Sequence, residues 1–152
     1  MWRILLLFVL FFTIDLSAKA QSVDSQLEKI NQQDDKTIAV AQLGELLKNE
    51  AISHSQRIKI LILQTRGYLS LSDLNKALSV IQQAKELADR NNLPIQQAQV
   101  DKLTGIILYF QGQYDQALLS YQAALHYFKK QPYSPDIAIK QANLLNNIAL
   151  VQ

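Results

Sequence analysis

The chain nearly repeats its own apolar pattern after about forty residues. The six positions of the first copy are Leu74, Ala77, Leu78, Ile81, Ala84 and Leu87, and their counterparts are Tyr114, Ala117, Leu118, Tyr121, Ala124 and Tyr127. A period of this length in a helical pattern is typical of stacked helix pairs, because no single pair buries its apolar face alone. The repeat therefore predicts a chain of helix pairs that stack on their neighbours.

The rest of the sequence also predicts helices. Only four glycines and three prolines are present, and apolar residues recur at steps of three and four without the alternation of strands. We expect an all-α fold, an α-α superhelix of antiparallel helix pairs. The expected helices are about 23–32, 35–50, 53–71, 73–91, 95–111, 114–130 and from 136 onward.

Some core residues follow from this pattern. In the second helix we expect Ile38, Ala41 and Leu46 to face inward together with neighbouring aliphatic residues. In the sixth helix the spacing of Tyr114 and Tyr121 favours packing between repeats.

The amino-terminal segment has the features of a secretory signal peptide. Arg3 supplies a positive start, Ile4–Phe12 is an unbroken apolar run, and Ala18-Lys19-Ala20 is a small-x-small cleavage site. Residues 1–20 are therefore predicted to be removed after Ala20, which places the mature chain in the periplasm or outside the cell. A retained membrane anchor is the alternative, but Asp15 interrupts a run shorter than the roughly 20 residues of a spanning helix.

The composition excludes several classes of protein. The net charge is only +2, which is too small to indicate the basic surface of a nucleic-acid-binding protein. The chain contains no cysteine, so export brings no disulfides and packing along the chain must supply the stability. Without its signal peptide the chain does not span a membrane.

The segment Tyr109–Leu118 resembles the centre of a tetratricopeptide repeat, in which helix A ends in an aromatic residue, glycine makes the turn, and Tyr-Asp-x-Ala begins helix B. Gly105 lies at the family's helix A glycine, and Ala117, Tyr121 and Ala124 lie at its helix B positions. Tyr68, Asp73, Leu74, Ala77, Ile81 and Ala84 match in the earlier unit, where Ser72 replaces the turn glycine, and Asn146, Asn147, Ile148 and Ala149 match in a third. The spacing of about forty residues resembles the longer MalT-like type.

The signal-peptide features, the helical periodicity and this resemblance together divide the chain into three segments. Residues 1–20 are the signal peptide, 21–51 form an amino-terminal helical pair, and 52–152 hold the repeats. The repeats cover about 57–94, 98–132 and, from 136, helix A of a third unit that is truncated.

The resemblance also implies a binding groove. In tetratricopeptide repeats the second, fifth, ninth and twelfth positions of helix A line the concave surface. The positions that map there are Lys59, Arg66, Gln99, Lys102, Tyr109, Asn143 and Asn146. Cations, amides and a tyrosine in one groove suit an acidic segment or a peptide carboxylate. The alternative is that these side chains are solvated and hold no ligand.

No residue pattern supports an enzyme. His54 and His126 are the only histidines, are far apart, and have no partner for a metal site. The acidic pair Asp34-Asp35 precedes a helix start, where carboxylates cap amides. We expect no catalytic residue, no metal and no cofactor.

The resulting hypothesis is an exported module that binds a protein or peptide in the bacterial envelope. Exported arrays of this kind resemble the sensory regions of bacterial membrane receptors that carry a diguanylate cyclase (GGDEF) or histidine kinase domain, so a truncated receptor is one alternative. A structural or dimerisation unit without a ligand is another.

The last helix gives one more expectation. Leu144, Leu145, Ile148 and Val151 lie on it with nothing after them. Because an apolar patch at the end of a helical array invites an identical patch, we expect homo-oligomers that form through this helix.

Overall fold

The computed structural model describes residues 23–152, and throughout them it is all α-helical, without a strand. Seven helices follow one another: α1 at residues 23–31, α2 Lys36–Leu47, α3 His54–Ser70, α4 Leu74–Arg90, α5 Pro94–Phe110, α6 Tyr114–Lys129 and α7 Pro135–Val151. The predicted all-α fold is confirmed. The predicted signal peptide, residues 1–20, lies outside the described residues.

Side chains cap four of the helix starts. Ser53 forms a reciprocal capping box with Gln56 at the start of α3. Asp35, Asp73 and Ser134 each accept hydrogen bonds from backbone amides in the first turns of α2, α4 and α7. These bonds satisfy amides that have no partner within the helix, so the prediction that Asp34-Asp35 precedes a helix start is confirmed.

Three consecutive connections share one backbone conformation. The links α3–α4, α4–α5 and α5–α6 each pass through a residue with positive φ: Ser72 at 58°, Asn92 at 50° and Gly112 at 74°. In each link the amide that follows this residue donates to the carbonyl five positions earlier, at 2.9 to 3.1 Å. This is the Schellman helix end. Its repetition turns each helix back against its predecessor in the same way.

Each helix packs on the helix that precedes it and on the one that follows it. In addition, odd-numbered helices contact the next odd-numbered helix, whereas even-numbered helices do not contact one another. Successive helices from α2 to α7 are in contact, and α3 also contacts α5, as α5 contacts α7. Between α2 and α4, and between α4 and α6, there is no comparable contact. The helix α1 joins α3 through Leu27, which is buried with Leu43 and Ile60. We call the surface formed by α1, α3, α5 and α7 the odd-helix face.

Small residues bring paired helices close together. Ala77 and Ala84 of α4 and Ala117 and Ala124 of α6 have no solvent exposure. A Cβ built on Gly105 of α5 would lie 2.5 Å from the Tyr121 ring of α6. The bare α5 backbone at this point therefore accommodates an aromatic side chain, and Tyr121 is buried as its spacing indicated.

The expected core face of α2 is wrong at Ile38 and Ala41, whereas Leu46 does pack against an apolar cluster. Ile38 is 46% exposed, Ala41 is exposed and Leu46 is only partly buried, while Ala39, Val40 and Leu43 are buried instead. Most residues of α2 are apolar, so its periodicity does not define one face. Packing against α3 decides the orientation, because Val40 fills the space where Gly67 has no side chain.

The expectation for Tyr114 is also wrong. It lies at the start of α6, is 52% exposed, and does not pack between repeats. Its ring instead contacts Tyr109 across the α5–α6 turn, with the ring centres 5.5 Å apart. Position in the first turn explains the difference, because a residue there lies beyond the part of α6 that packs against the core.

Candidate functional site

Every residue of the predicted groove lies on α3, α5 or α7. Lys59 and Arg66 lie on α3, two turns apart, and Gln99, Lys102 and Tyr109 lie on α5. Asn143 and Asn146 lie on α7 and are exposed. The buried side chains of the same helices hold them in place: Ile58 and Ile62 on α3, Val100 and Leu103 on α5, and Leu144 on α7.

A cleft of about 260 Å³ opens at the α1 end of this face. It brings together three of the predicted residues, Lys59, Arg66 and Gln99, and adds the polar residues Asp24, Glu28 and Asn31 of α1. Lys59 Nζ lies 3.3 Å from Asp24 Oδ1, and both side chains are about half exposed. An ion pair this exposed contributes little to stability, but it gives the Lys59 ammonium a carboxylate partner within the chain.

Arg66, Lys102 and Lys140 form what we call the cation row, with one residue on each of α3, α5 and α7. Lys102 is partly buried, and its pKa is lowered, first by burial and then by the charges of Arg66 and Lys140. Within residues 23–152, neither Arg66 nor Lys102 forms an ion pair with a carboxylate. Positive charge therefore gathers around the partly buried Lys102, while Arg66 itself is exposed.

Lys140 was missed by sequence reasoning. It pairs with Asp136 one turn earlier and lies 5.8 Å from the centre of the Phe128 ring. Motif matching started the third unit too late to include it. The N-cap residues give another alignment. When α7 is aligned with α5 by their N-caps, Ser134 and Leu93, Lys140 stands at the position of Gln99. The Ser-x-x-Ile cap with Pro135 at the first helical position was the available signal.

Tyr109 lies two turns beyond Lys102 on the same stripe of α5, in an aromatic patch. The patch consists of Tyr109, Phe110 and Tyr114, with ring centres 5.7 and 5.5 Å from that of Tyr109. Phe110 is 62% exposed and Tyr114 is also largely open to solvent. The rings are inclined to that of Tyr109 by 70° and 54°, so they offer a ligand an apolar but uneven surface.

This arrangement can hold anions through charge-assisted hydrogen bonds. Arg66 offers a planar guanidinium that matches a carboxylate, and the two lysines offer ammonium groups. Among the described residues, no group of three or more His, Cys, Asp or Glu could hold a metal ion. Nor does any helix within 23–152 have the length and hydropathy needed to cross a membrane.

No protein-family model matches the chain, and no curated protein matches it. Fold and site together define the class of protein: an all-α chain of sequentially packed helices that carries the cation row on α3, α5 and α7 and an aromatic patch at the α5–α6 turn.

Proposed function

We propose that this chain is a protein- or peptide-binding module of the tetratricopeptide type, and that its odd-helix face takes an acidic segment of the partner. The observation that carries the proposal is the cation row, in which Arg66 and Lys102 have no carboxylate partner within residues 23–152. In a tetratricopeptide array the corresponding helices line the concave groove.

Helix packing supports this scaffold. The family's helix A glycine and helix B aromatic meet as Gly105 and Tyr121, and its two small helix B positions are the fully buried Ala117 and Ala124. Helices α3, α5 and α7 contact one another in sequence, as helices A of successive units do.

Electrostatics supports an acidic ligand. Placing Lys102 partly out of water next to two further cations costs free energy in the unbound protein, because burial and like charge both disfavour its ammonium form. A carboxylate on the cation row removes the repulsion and forms charge-assisted hydrogen bonds. The same charges steer an acidic partner toward the face before contact.

The proposed location is the bacterial envelope. Arg3, the apolar run Ile4–Phe12 and the Ala18–Ala20 site support export. Intact mass of protein recovered from a periplasmic extract tests this, and we expect a chain that begins at Gln21.

Fluorescence anisotropy with a labelled hexaglutamate peptide tests the binding proposal. Arg66→Glu combined with Lys102→Glu should weaken binding by about tenfold or more, since two attractive contacts become repulsive. The matched control, Lys129→Glu with Lys130→Glu at the end of α6, makes the same change of charge away from the odd-helix face. It should weaken binding by about twofold or less.

If both double variants lost the same affinity for hexaglutamate, binding would depend only on the net charge of the protein. That result would contradict a site on the odd-helix face. No binding of hexaglutamate by the wild-type chain would contradict an acidic ligand. Far-UV circular dichroism of all variants confirms that helicity is retained.

A further inference from the structure

Two helix stripes with the same residue spacing line the cleft of about 260 Å³ between α1 and α3. The stripe on α1 is Asp24, Leu27, Glu28 and Asn31, and the stripe on α3 is Lys59, Ile62, Leu63 and Arg66. Steps of three and four residues place each set on one face of its helix. The ion pair of Asp24 with Lys59 marks one end of the cleft. Asn31 and Arg66 lie together at the other end, where both also line a neighbouring cleft beside α2.

Several polar side chains of this cleft have no partner within residues 23–152. Those that form neither a side-chain hydrogen bond nor an ion pair there are Glu28, Asn31, Arg66 and Gln99. Nearby glutamines of α5 differ, because Gln96 donates to Ser55 and Gln97 donates to Asp89. The cleft therefore gathers a carboxylate, a guanidinium and two amides whose hydrogen-bonding capacity the described part of the chain does not use.

The size and the apolar wall of the cleft restrict its ligand. Leu27 and Ile62 are buried at 5% and 4% exposure, and Leu63 is half-buried beside them. A volume of about 260 Å³ lies just below the range of about 300–1,000 Å³ that is usual for drug-sized ligands. The cleft therefore suits a small molecule that has one apolar group.

The charges of the cleft select a zwitterion. Two acids, Asp24 and Glu28, balance two bases, Lys59 and Arg66, and only one pair of them is joined. A simple anion on Arg66 would meet the free carboxylate of Glu28, and a simple cation on Glu28 would meet the guanidinium. Glu28 precedes Asn31 by three residues, about 4.5 Å along the helix axis, so the two charges of the ligand must lie close together.

We propose that this cleft binds a free α-amino acid with an apolar side chain. The ligand carboxylate accepts hydrogen bonds from Arg66 and Asn31, its ammonium group donates to Glu28, and its side chain packs on Leu27 and Ile62. A free amino acid carries both charges at pH 7, and charge-assisted hydrogen bonds hold each of them. The inference goes beyond the proposed function, because α1 lies outside the tetratricopeptide repeats and Glu28 repels an acidic segment.

Isothermal titration calorimetry of the chain with L-leucine provides the test, and we expect saturable binding at one site. N-acetyl-L-leucine lacks the ammonium charge and L-leucinamide lacks the carboxylate, while both keep the side chain. Each should bind about tenfold or more weakly than leucine, since one charge-assisted contact is lost.

Two variants locate the site. Glu28→Gln should weaken leucine binding by about tenfold or more, while binding of hexaglutamate stays the same or becomes tighter, because a repulsive charge is removed. Arg66→Gln should weaken both ligands. The matched controls Glu86→Gln and Arg90→Gln remove the same charges from an exposed ion pair on α4, and they should leave leucine binding unchanged.

Failure of this inference is distinct from failure of the proposed function. If the wild-type chain binds hexaglutamate but not leucine, the amino-acid site is overturned and the acidic ligand stands; the reverse result contradicts only the acidic ligand. Equal binding of leucinamide would assign the cleft to the amino terminus of a peptide, and equal binding of N-acetyl-leucine would assign it to a plain carboxylate. Either result overturns a free amino acid, and unchanged leucine affinity in Glu28→Gln overturns the location.

Discussion

Ser72 and Asn92 occupy backbone conformations that favour glycine, and Gly112 occupies the same conformation at the third turn. A side chain in the left-handed region costs about 1–2 kcal/mol per residue relative to its usual conformation. The sequence indicated the turn at Gly112 and the replacement of glycine by Ser72. It gave no comparable signal for Asn92, which tolerates this region better than most residues.

Ser72→Gly should raise the free energy of unfolding by about 0.5–1 kcal/mol, since relief of the backbone strain exceeds the added entropy of the unfolded chain. Gly112→Ala should lower it by about 1 kcal/mol. Urea denaturation measures both. Ser79→Gly, in the middle of α4, is the matched control and should destabilise, because its backbone is right-handed. Stabilisation by both serine variants would contradict the role of the turn.

Asp101 gives a pH dependence. Burial raises its pKa above the usual value, Lys85 at 3.7 Å opposes this, and Asp89 adds to it. An acid whose folded pKa is raised destabilises the protein above that pKa, where it is ionised, and the cost disappears as pH falls below the unfolded pKa of about 3.9.

Asp101→Asn should therefore be more stable than the wild type at pH 7, and the two should converge as pH falls to about 3.9 and below. Urea midpoints between pH 7 and pH 3 measure the difference. A difference for Asp101→Asn that is constant across this range would show that ionisation is not its cause.

At the scale of the helices, the sequence predicted where each one lies but not always which face is buried. Amphipathic α4 has Ala77 and Ile81 inward, as its pattern indicated. In α2 apolar residues surround the axis, so the contact of Val40 with Gly67, more than twenty residues away, decides the face. A pattern confined to one helix does not contain that contact.

The α5–α6 contact depends on glycine. Gly105→Ala should lower the free energy of unfolding by about 1–3 kcal/mol, because the new Cβ lies 2.5 Å from the Tyr121 ring. In a Tyr121→Leu background the same change should cost less. Gly44→Ala is the matched control: its Cβ lies no closer than 3.6 Å to Gln64 Nε2, so it should stabilise by about 0.5–1 kcal/mol. Additive effects of Gly105→Ala and Tyr121→Leu would contradict a direct clash.

At the scale of the whole molecule, packing between sequence neighbours makes stability uneven. The interior of α3, α4 and α5 forms one apolar cluster. In α7 only Leu144 is fully buried, whereas Ile139, Leu145 and Leu150 are at least half exposed. Local opening should therefore cost less in α7 than in α5.

Hydrogen exchange should show faster amide exchange in α7 than in α5. Leu144→Ala should accelerate exchange in α7 further while leaving α3 and α4 close to wild type, because those helices do not contact α7. Uniform acceleration in all helices would show a single cooperative unit. Association through α7 stays a prediction from the sequence, which sedimentation equilibrium tests.

The helix positions of the candidate site residues were predictable, but the charges around them were not. Lys59 and Arg66 were found by their place in a repeat, whereas the pairing of Lys59 with Asp24 depends on how α1 lies against α3. Lys140 reaches the vicinity of Lys102 through the packing of α7 on α5. Such neighbours are set by contacts between units, which a period within the sequence does not encode.

The one-sided contact between alternate helices has a mechanical consequence. Helices α3, α5 and α7 touch in sequence, while α2, α4 and α6 leave gaps between them. When the ends of the chain are pulled apart, each helix pair can rotate about the contacts among α3, α5 and α7. No interface among α2, α4 and α6 has to break, because these helices do not contact one another. The molecule should therefore respond to tension as a soft spring, and the spacing of charges along its touching edge should change with the load.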